Sequence, residues 1–305
     1  MADAGARIRH VTARAKINLA LHVTGQRADG YHLLDSIVAF ARLTGRADGL
    51  AGDSLSIRFG DVEGSGPRLT VDGPFAAAVP CGEGNSVLAA AQAVGGIAAI
   101  HLTKVLPVAA GIGGGSADAA AVLSAAADHR GIPRETLADL ALPLGADVPV
   151  CLAGHPARMR GIGEMLTPLA LPSIPCLLVN PGVSVSTPAV FAALAAKSNP
   201  PLSASPPPAE PGALLAYLEA ARNDLEPPAV RLEPAIGAAL ARLAGTDGCA
   251  LARMSGSGGT VFGLYADDGA RDAAAAALGA HVARLGLPWW IAPAVLDASP
   301  GAQPS

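Results

Sequence analysis

The stretch Pro107-Val-Ala-Ala-Gly-Ile-Gly-Gly-Gly-Ser-Ala117, followed by Asp118 and a run of alanines, constrains this chain more than any other. Gly111, Gly113, Gly114 and Gly115 place four glycines in five positions, removing side chains where backbone N–H groups can converge. At the start of a helix such a nest binds anions through aligned amides and the helix dipole. Ser116 stands where an N-cap hydroxyl belongs, and the helix expected over 116–129 stops before Gly131 and Pro133. A Walker loop is excluded because no lysine follows the glycines, and the dinucleotide fingerprint because Ser116 occupies its last glycine position. Taken alone, the loop is also compatible with a mere turn before an alanine-rich helix.

Composition narrows the classes. The 305 residues suffice for one large or two modest domains, and 51% hydrophobic against 15% charged residues supplies a sizeable core. Aromatics are only 3%, so much of that core is alanine. The formal net charge of -4 suggests neither a nucleic-acid nor a membrane partner. Apolar runs fall short of the ~20 residues a membrane span needs; the best, 88–102, is interrupted by Gln92 and His101. The N-terminus through Lys16 carries Asp3, Arg7, Arg9 and Arg14 and has no signal-like apolar core. Cys81, Cys151, Cys176 and Cys249 lack metal-knuckle spacing and read as inert thiols of a cytoplasmic protein. Nothing in the pattern fixes an oligomeric state.

Periodicity predicts strands at 15–23, 53–59, 68–71 and 100–106, and helices at 85–95 and 135–142. Strands and helices alternate without a βαβ repeat, which favours an α+β fold. The pattern breaks over 161–175. The expected division is therefore an N-terminal domain at 1–165, a C-terminal domain at 166–298 and a tail at 299–305. The second half predicts strands at 176–180, 250–254 and 260–265 and helices at 187–196, 212–221, 234–243 and 268–283. Six prolines fall within 199–211, which must be a loop or a flexible excursion.

Lys16 and Asn18 are two apart on a strand and share a face. If that face is buried they are unusual; if it is solvated they are ordinary. Asp147, before Pro149, reads either as a turn cap or as a functional carboxylate. Tyr31 and His32 close a polar loop in a chain poor in aromatics, which marks a contact surface.

The glycine-rich loop resembles the phosphate loop of the GHMP kinases. Ala15-Lys-Ile-Asn-Leu-Ala-Leu-His22, Gly25-Gln-Arg-Ala-Asp-Gly-Tyr-His32, Leu144-Gly-Ala-Asp-Val-Pro-Val150, Asn180-Pro-Gly and Ser255-Gly-Ser-Gly-Gly-Thr260 extend the resemblance, in order, over 13–266. They narrow it to members acting on a cytidine diphosphate-linked methylerythritol. The resemblance implies a two-domain fold, ribosomal-protein-S5-domain-2-like then ferredoxin-like. It implies ATP-dependent phosphorylation of that small molecule's 2-hydroxyl, with Mg²⁺ on the ATP phosphates and no protein metal ligand specified. Pro107, Val108, Ala109, Ala110, Gly111, Ile112, Gly113, Gly114, Gly115, Ser116 and Ala117 would bind the nucleotide. Asp147 would be the base and Lys16 its electrostatic partner. Asn18, Tyr31, His32, Thr187 and Phe191 would bind substrate, Tyr31 and Phe191 sandwiching the cytosine and His32 reading its polar edge. Phe191 also fits a core anchor of its helix. Ala109, Ala110 and Ile112 depart mildly from the family pattern, and the proline-rich insert looks particular to this chain.

Overall fold

Alternating burial along residues 53–59 and 97–103 sets up the first sheet, because every second side chain there meets an alanine-rich helix. The computed structural model describes residues 8–45, 47–61, 66–82 and 84–297. Its strands are β1 (Ile8–Ala13), β2 (Ala15–Gln26), β3 (His32–Leu43), β4 (Asp53–Phe59), β5 (Arg68–Asp72), β6 (Ile97–Thr103), β7 (Ala157–Gly161), β8 (Met165–Pro168), β9 (Ile174–Asn180), β10 (Cys249–Met254), β11 (Val261–Tyr265) and β12 (Trp290–Asp297). Its helices are α1 (Ser86–Val94), α2 (Gly114–Arg130), α3 (Ala138–Leu144), α4 (Val148–Ala153), α5 (Thr187–Ala192), α6 (Pro211–Glu219), α7 (Glu226–Leu232), α8 (Pro234–Ala244) and α9 (Asp268–Leu285).

The chain forms two compact units. Among the described residues, one gathers the chain up to Ala15 with Leu50–Val108 and Gly113–Ala153; the other gathers Lys16–Gly49, Ala109–Ile112 and the chain from Gly154. These units differ from the continuous division expected at residue 165. The physical reason is non-local pairing: β3 bonds β12 and β7, so Lys16–Gly49 joins a sheet made mostly of C-terminal strands. The tail at 299–305 lies outside the described residues.

In the first unit the strand order is β1-β4-β6-β5, with β5 parallel to β6 and the other pairs antiparallel. Leu55, Ile57, Phe59, Ile97, Ile100 and Leu102 face the alanines of α2. Alanine lets that helix sink until most of its residues are buried, Asp118 among them. β6 starts and stops about one turn's length before the expected 100–106 strand. Its end is fixed when Val105 and Leu106 give their N–H groups to Asp53 Oδ1, at 2.7 and 2.8 Å, instead of to a strand. The helix expected at 135–142 is a short 3-10 turn, Arg134–Leu137, followed by α3.

In the second unit the order is β10-β11-β9-β12-β3-β7-β8, with β2 also paired to β3. Leu177, Val179, Val261 and Tyr265 pack with Ile236, Leu243 and Leu278 from α8 and α9. Asp267 caps α9 by accepting from Ala270 N at 2.8 Å, and Gly286 ends it at φ 62°. The proline-rich segment runs as a loop to Glu210, and Pro211 opens α6. Its first part is tied down by buried charge. Arg158 forks onto Asp35 at 2.8 and 2.7 Å and donates to Ser203 O and Leu202 O, while Leu202 N donates to Asp35 Oδ2.

Candidate active site

The C-terminal half of the glycine-rich loop belongs to the first unit. α2 begins at Gly114, two residues earlier than expected, and its N-cap is Gly113 at φ 62° with no side-chain cap. Ser116 is thus the third helical residue, which corrects its expected N-cap role. Helix geometry leaves the first-turn N–H groups, those of Gly114, Gly115 and Ser116, without intrahelical acceptors. Gly115 is exposed, and Ser86 Oγ holds its carbonyl at 2.9 Å. A Cβ on Gly114 would meet Lys104 Nζ at 3.2 Å. A substitution there therefore disturbs the interior as well as the loop.

Beneath Gly114 lies a buried ionic cluster that sequence reasoning missed. Lys104 Nζ donates to Asp53 Oδ2 and to Asp118 Oδ2, each at 2.6 Å, and all three side chains are almost fully buried. Burial works against the ammonium, but Asp118 and Asp53 outweigh it and hold Lys104 above its ordinary value. Burial likewise pushes the Asp118 carboxyl up to about 7, with Lys104 opposing and Asp53 reinforcing the rise. Two carboxylates share one ammonium, so one of them is easily protonated. Asp118 Oδ1 is buried without a hydrogen-bond partner.

The middle of the loop, Ala109–Ile112, belongs to the second unit. Ala109 has φ 53°, the only positive value at a non-glycine among the described residues. Gly111, at φ 72°, has no room for a side chain: a Cβ would meet Ser255 O at 2.5 Å and Gly258 O at 2.6 Å. Thr260 N donates to Ala110 O at 2.9 Å, and Ser255 Oγ to Gly111 O at 3.0 Å. The Ser255–Thr260 turn therefore grips this part of the loop. The side chains of Pro107, Ala110, Ile112 and Ala117 are buried; Val108, Gly111, Gly113 and Ser116 are half-buried.

Lys16 and Asn18 do not lie on a solvated face. They are 3% and 1% exposed, on a strand buried from Ala15 to Val23. Lys16 N donates to Ile112 O at 2.9 Å, which ties the lysine's main chain to the loop. Its Nζ donates to Asn18 Oδ1 at 2.7 Å. Asp147, in the first unit, is half-buried immediately before α4, and its carbonyl accepts from Cys151 N at 3.1 Å.

Tyr31, His32, Thr187 and Phe191 all fall in the second unit. Tyr31 is 61% exposed at the end of a turn braced by Arg27–Asp29. His32 stacks on Phe191, with ring centroids 4.7 Å apart and planes 23° off parallel. Burial, then the charge of Lys197, lower the His32 pKa, which favours the neutral imidazole. Its Nε2 is buried without a hydrogen-bond partner. Thr187 Oγ1 lies 2.7 Å from Ser257 Oγ. Phe191 packs at the margin of the helical core, so both of its readings retain a structural basis. Among the described residues no group of three or more His, Cys, Asp or Glu side chains is placed to hold a metal ion. No described helix is long and apolar enough to cross a membrane.

Comparison with known proteins bears on this arrangement. The GHMP kinases N terminal domain pattern matches residues 85–155, and the GHMP kinases C terminal pattern matches 209–284. The chain is 52% identical over 290 residues to the 4-diphosphocytidyl-2-C-methyl-D-erythritol kinase of Cereibacter sphaeroides, covering 92% of this chain and 97% of that one. It is 50% identical over 299 residues to the enzyme of the same name from Paramagnetospirillum magneticum, covering 94% and 98%. A crystal structure of 4-(cytidine 5'-diphospho)-2C-methyl-D-erythritol kinase superposes with a TM-score of 0.68 at 34% identity, covering 94% and 99%. Homoserine kinase from Cytophaga hutchinsonii, at 17% identity and a TM-score of 0.66, shares the fold.

Proposed function

The chain belongs to the 4-diphosphocytidyl-2-C-methyl-D-erythritol kinase family of the GHMP kinases, with their two-domain α+β fold, and on that footing we propose that it transfers the γ-phosphoryl group of ATP to the 2-hydroxyl of that cytidyl alcohol. The hydroxyl oxygen forms the new P–O bond, its proton passes to Asp147, and ADP leaves with the electrons of the broken bond. A tertiary alcohol is too weakly acidic to attack unaided, which is why a carboxylate acceptor for its proton matters. Phosphoryl transfer otherwise demands positioning and charge stabilisation. The first-turn N–H groups of α2 fit the nucleotide phosphates, and Mg²⁺, when bound with ATP, would neutralise phosphate charge.

The observation that carries the reading is the burial of Lys16 with its main chain bonded to the loop at Ile112. Lysine is costly to bury, and this one sits on the strand that anchors the phosphate loop. Its charge suits stabilisation of the developing alkoxide. For the cytosine, Tyr31 and Phe191 offer stacking faces, Thr187 a hydroxyl, and neutral His32 one donor and one acceptor.

A coupled ADP-release assay tests the substrate assignment. Turnover is expected with the cytidyl alcohol and ATP, and not with homoserine or mevalonate. Each stacking face contributes about 1–3 kcal/mol, so Tyr31→Ala and Phe191→Ala should each raise KM for the cytidyl alcohol roughly 5–150-fold and spare ATP. Equal efficiency on methylerythritol phosphate lacking the cytidyl group would overturn the base platform.

A further inference from the structure

We propose that Ser36 is a positioning residue that sets the direction of the Lys16 ammonium through Asn18; the proposal rests on the reading of Lys16 as the electrostatic partner in phosphoryl transfer. Ser36 lies on β3, fully buried, opposite β2. Its hydroxyl stands 2.6 Å from Ala20 O. A carbonyl oxygen only accepts, so the hydroxyl proton is committed there, and Ser36 Oγ can only accept from any other neighbour. That neighbour is Asn18 Nδ2, at 2.8 Å. With its amino group turned to Ser36, the Asn18 amide presents Oδ1 to Lys16 Nζ at 2.7 Å.

The opposite amide orientation fails at both ends. Nδ2 would then face an ammonium, donor against donor, and Oδ1 would face the Ser36 lone pair, acceptor against acceptor. All three side chains are at most 3% exposed, so water offers little alternative. The direction of every bond from Lys16 to Ala20 O is therefore fixed by one hydroxyl on another strand.

The main chain is fixed by a second serine used the same way. Ser255 Oγ gives its proton to Gly111 O at 3.0 Å and accepts from Asn18 N at 3.0 Å. Strand β2 is thereby held against the loop by Ser255 and Ile112, while Ser36 governs the side chains. Asn18 thus acts on the reaction through Lys16, and Ser36 acts one bond further out.

Steady-state kinetics of Ser36→Ala, Ser36→Thr, Asn18→Ala, Ser36→Ala/Asn18→Ala and Lys16→Ala, with ATP and the cytidyl alcohol, test the relay. Ser36→Ala should lower kcat about 10–100-fold, the scale of a small misplacement at a reacting centre, with KM for ATP unchanged. Ser36→Thr, which keeps the hydroxyl, should recover most of the loss, and the double variant should be no slower than Asn18→Ala alone. Wild-type kcat in Ser36→Ala, or losses that multiply in the double variant, would overturn the relay while a crippled Lys16→Ala left the reading of Lys16 standing. Full turnover in Lys16→Ala would overturn both. Should Ser36→Ala not fold, amide exchange by NMR on the wild-type chain decides: one Asn18 Nδ2 proton protected from solvent supports the relay, and two protons exchanging as in an exposed amide contradict it.

Discussion

Lys16 and Lys104 are both buried to 3% or less exposure, yet they are placed for different work. Lys104 is gripped by two carboxylates at 2.6 Å each, in a cluster whose other arms reach the N–H groups of Val105 and Leu106. That arrangement uses the whole charge to lock the segment leading into the glycine-rich loop. Lys16 Nζ donates to an amide oxygen, Asn18 Oδ1, at 2.7 Å, and its main chain bonds the loop at Ile112. Lys104 reads as an architectural rivet; Lys16, tied to the phosphate loop, is the lysine whose charge the proposed reaction uses. The contrast assigns opposite consequences to removing each charge.

The sharpest way to break the contrast is Lys104→Met against Lys16→Met. Losing Lys104 leaves two buried carboxylates facing each other and should cost about 3–5 kcal/mol of stability, read as a large fall in Tm. Lys16→Met should instead keep Tm near wild type and lower kcat by about 10²–10⁴-fold. Interchanged outcomes would reverse the two roles. A smaller effect separates loop from rivet. Gly115 is exposed and a Cβ there meets only the rotatable Ser86 Oγ, at 3.3 Å. Gly115→Val should weaken ATP binding about tenfold or more by crowding the first-turn N–H groups, with Tm almost unchanged. Unchanged ATP affinity by titration calorimetry would reduce this stretch to a turn.

The smallest effect lies in the pH dependence of stability. His22 donates through Nδ1 to Pro200 O and accepts at Nε2 from Arg222 N, so its fold requires the neutral ring. Burial and then Arg222 lower its pKa, while Pro200 O, Asp224 and Asp35 oppose them. The unfolded chain therefore takes up the proton first, and stability falls as pH drops below the ordinary histidine value of about 6.5. Asp118, raised to about 7, has the opposite sign: the folded state binds its proton first, and stability rises as pH falls from 7. Tm measured from pH 7 to 5 should decline more steeply in Asp118→Asn than in wild type, and less steeply in His22→Gln. Identical slopes in all three would contradict both assignments.

What could be read from the chain followed the range of the interactions. The loop, α2 and its stop at Gly131 were legible because glycine, alanine and capping chemistry are local. β3 was not foreseen, since Ser36–Leu43 is buried on both faces, apart from Arg42, and shows no alternation. β12 carries Pro293 and gains its pairing from β9 and β3, far away in sequence. The hairpin of β7 and β8 was hidden among glycines and prolines. Among site residues, Lys16 and Asn18 stood out as polar side chains on an apolar strand. Ser36 and Ser255 did not, because a serine's proton direction depends on which strand lies opposite. The Lys104 cluster joins residues 53, 104 and 118; the scarcity of lysine was its only signal.

The most direct test of the account is turnover of Asp147→Asn beside its ATP affinity. Asparagine keeps the size of the side chain and cannot take the proton of the 2-hydroxyl. The account predicts wild-type ATP binding and kcat lowered by about 10²–10⁴-fold on the cytidyl alcohol. Near-normal turnover would contradict it and require another base.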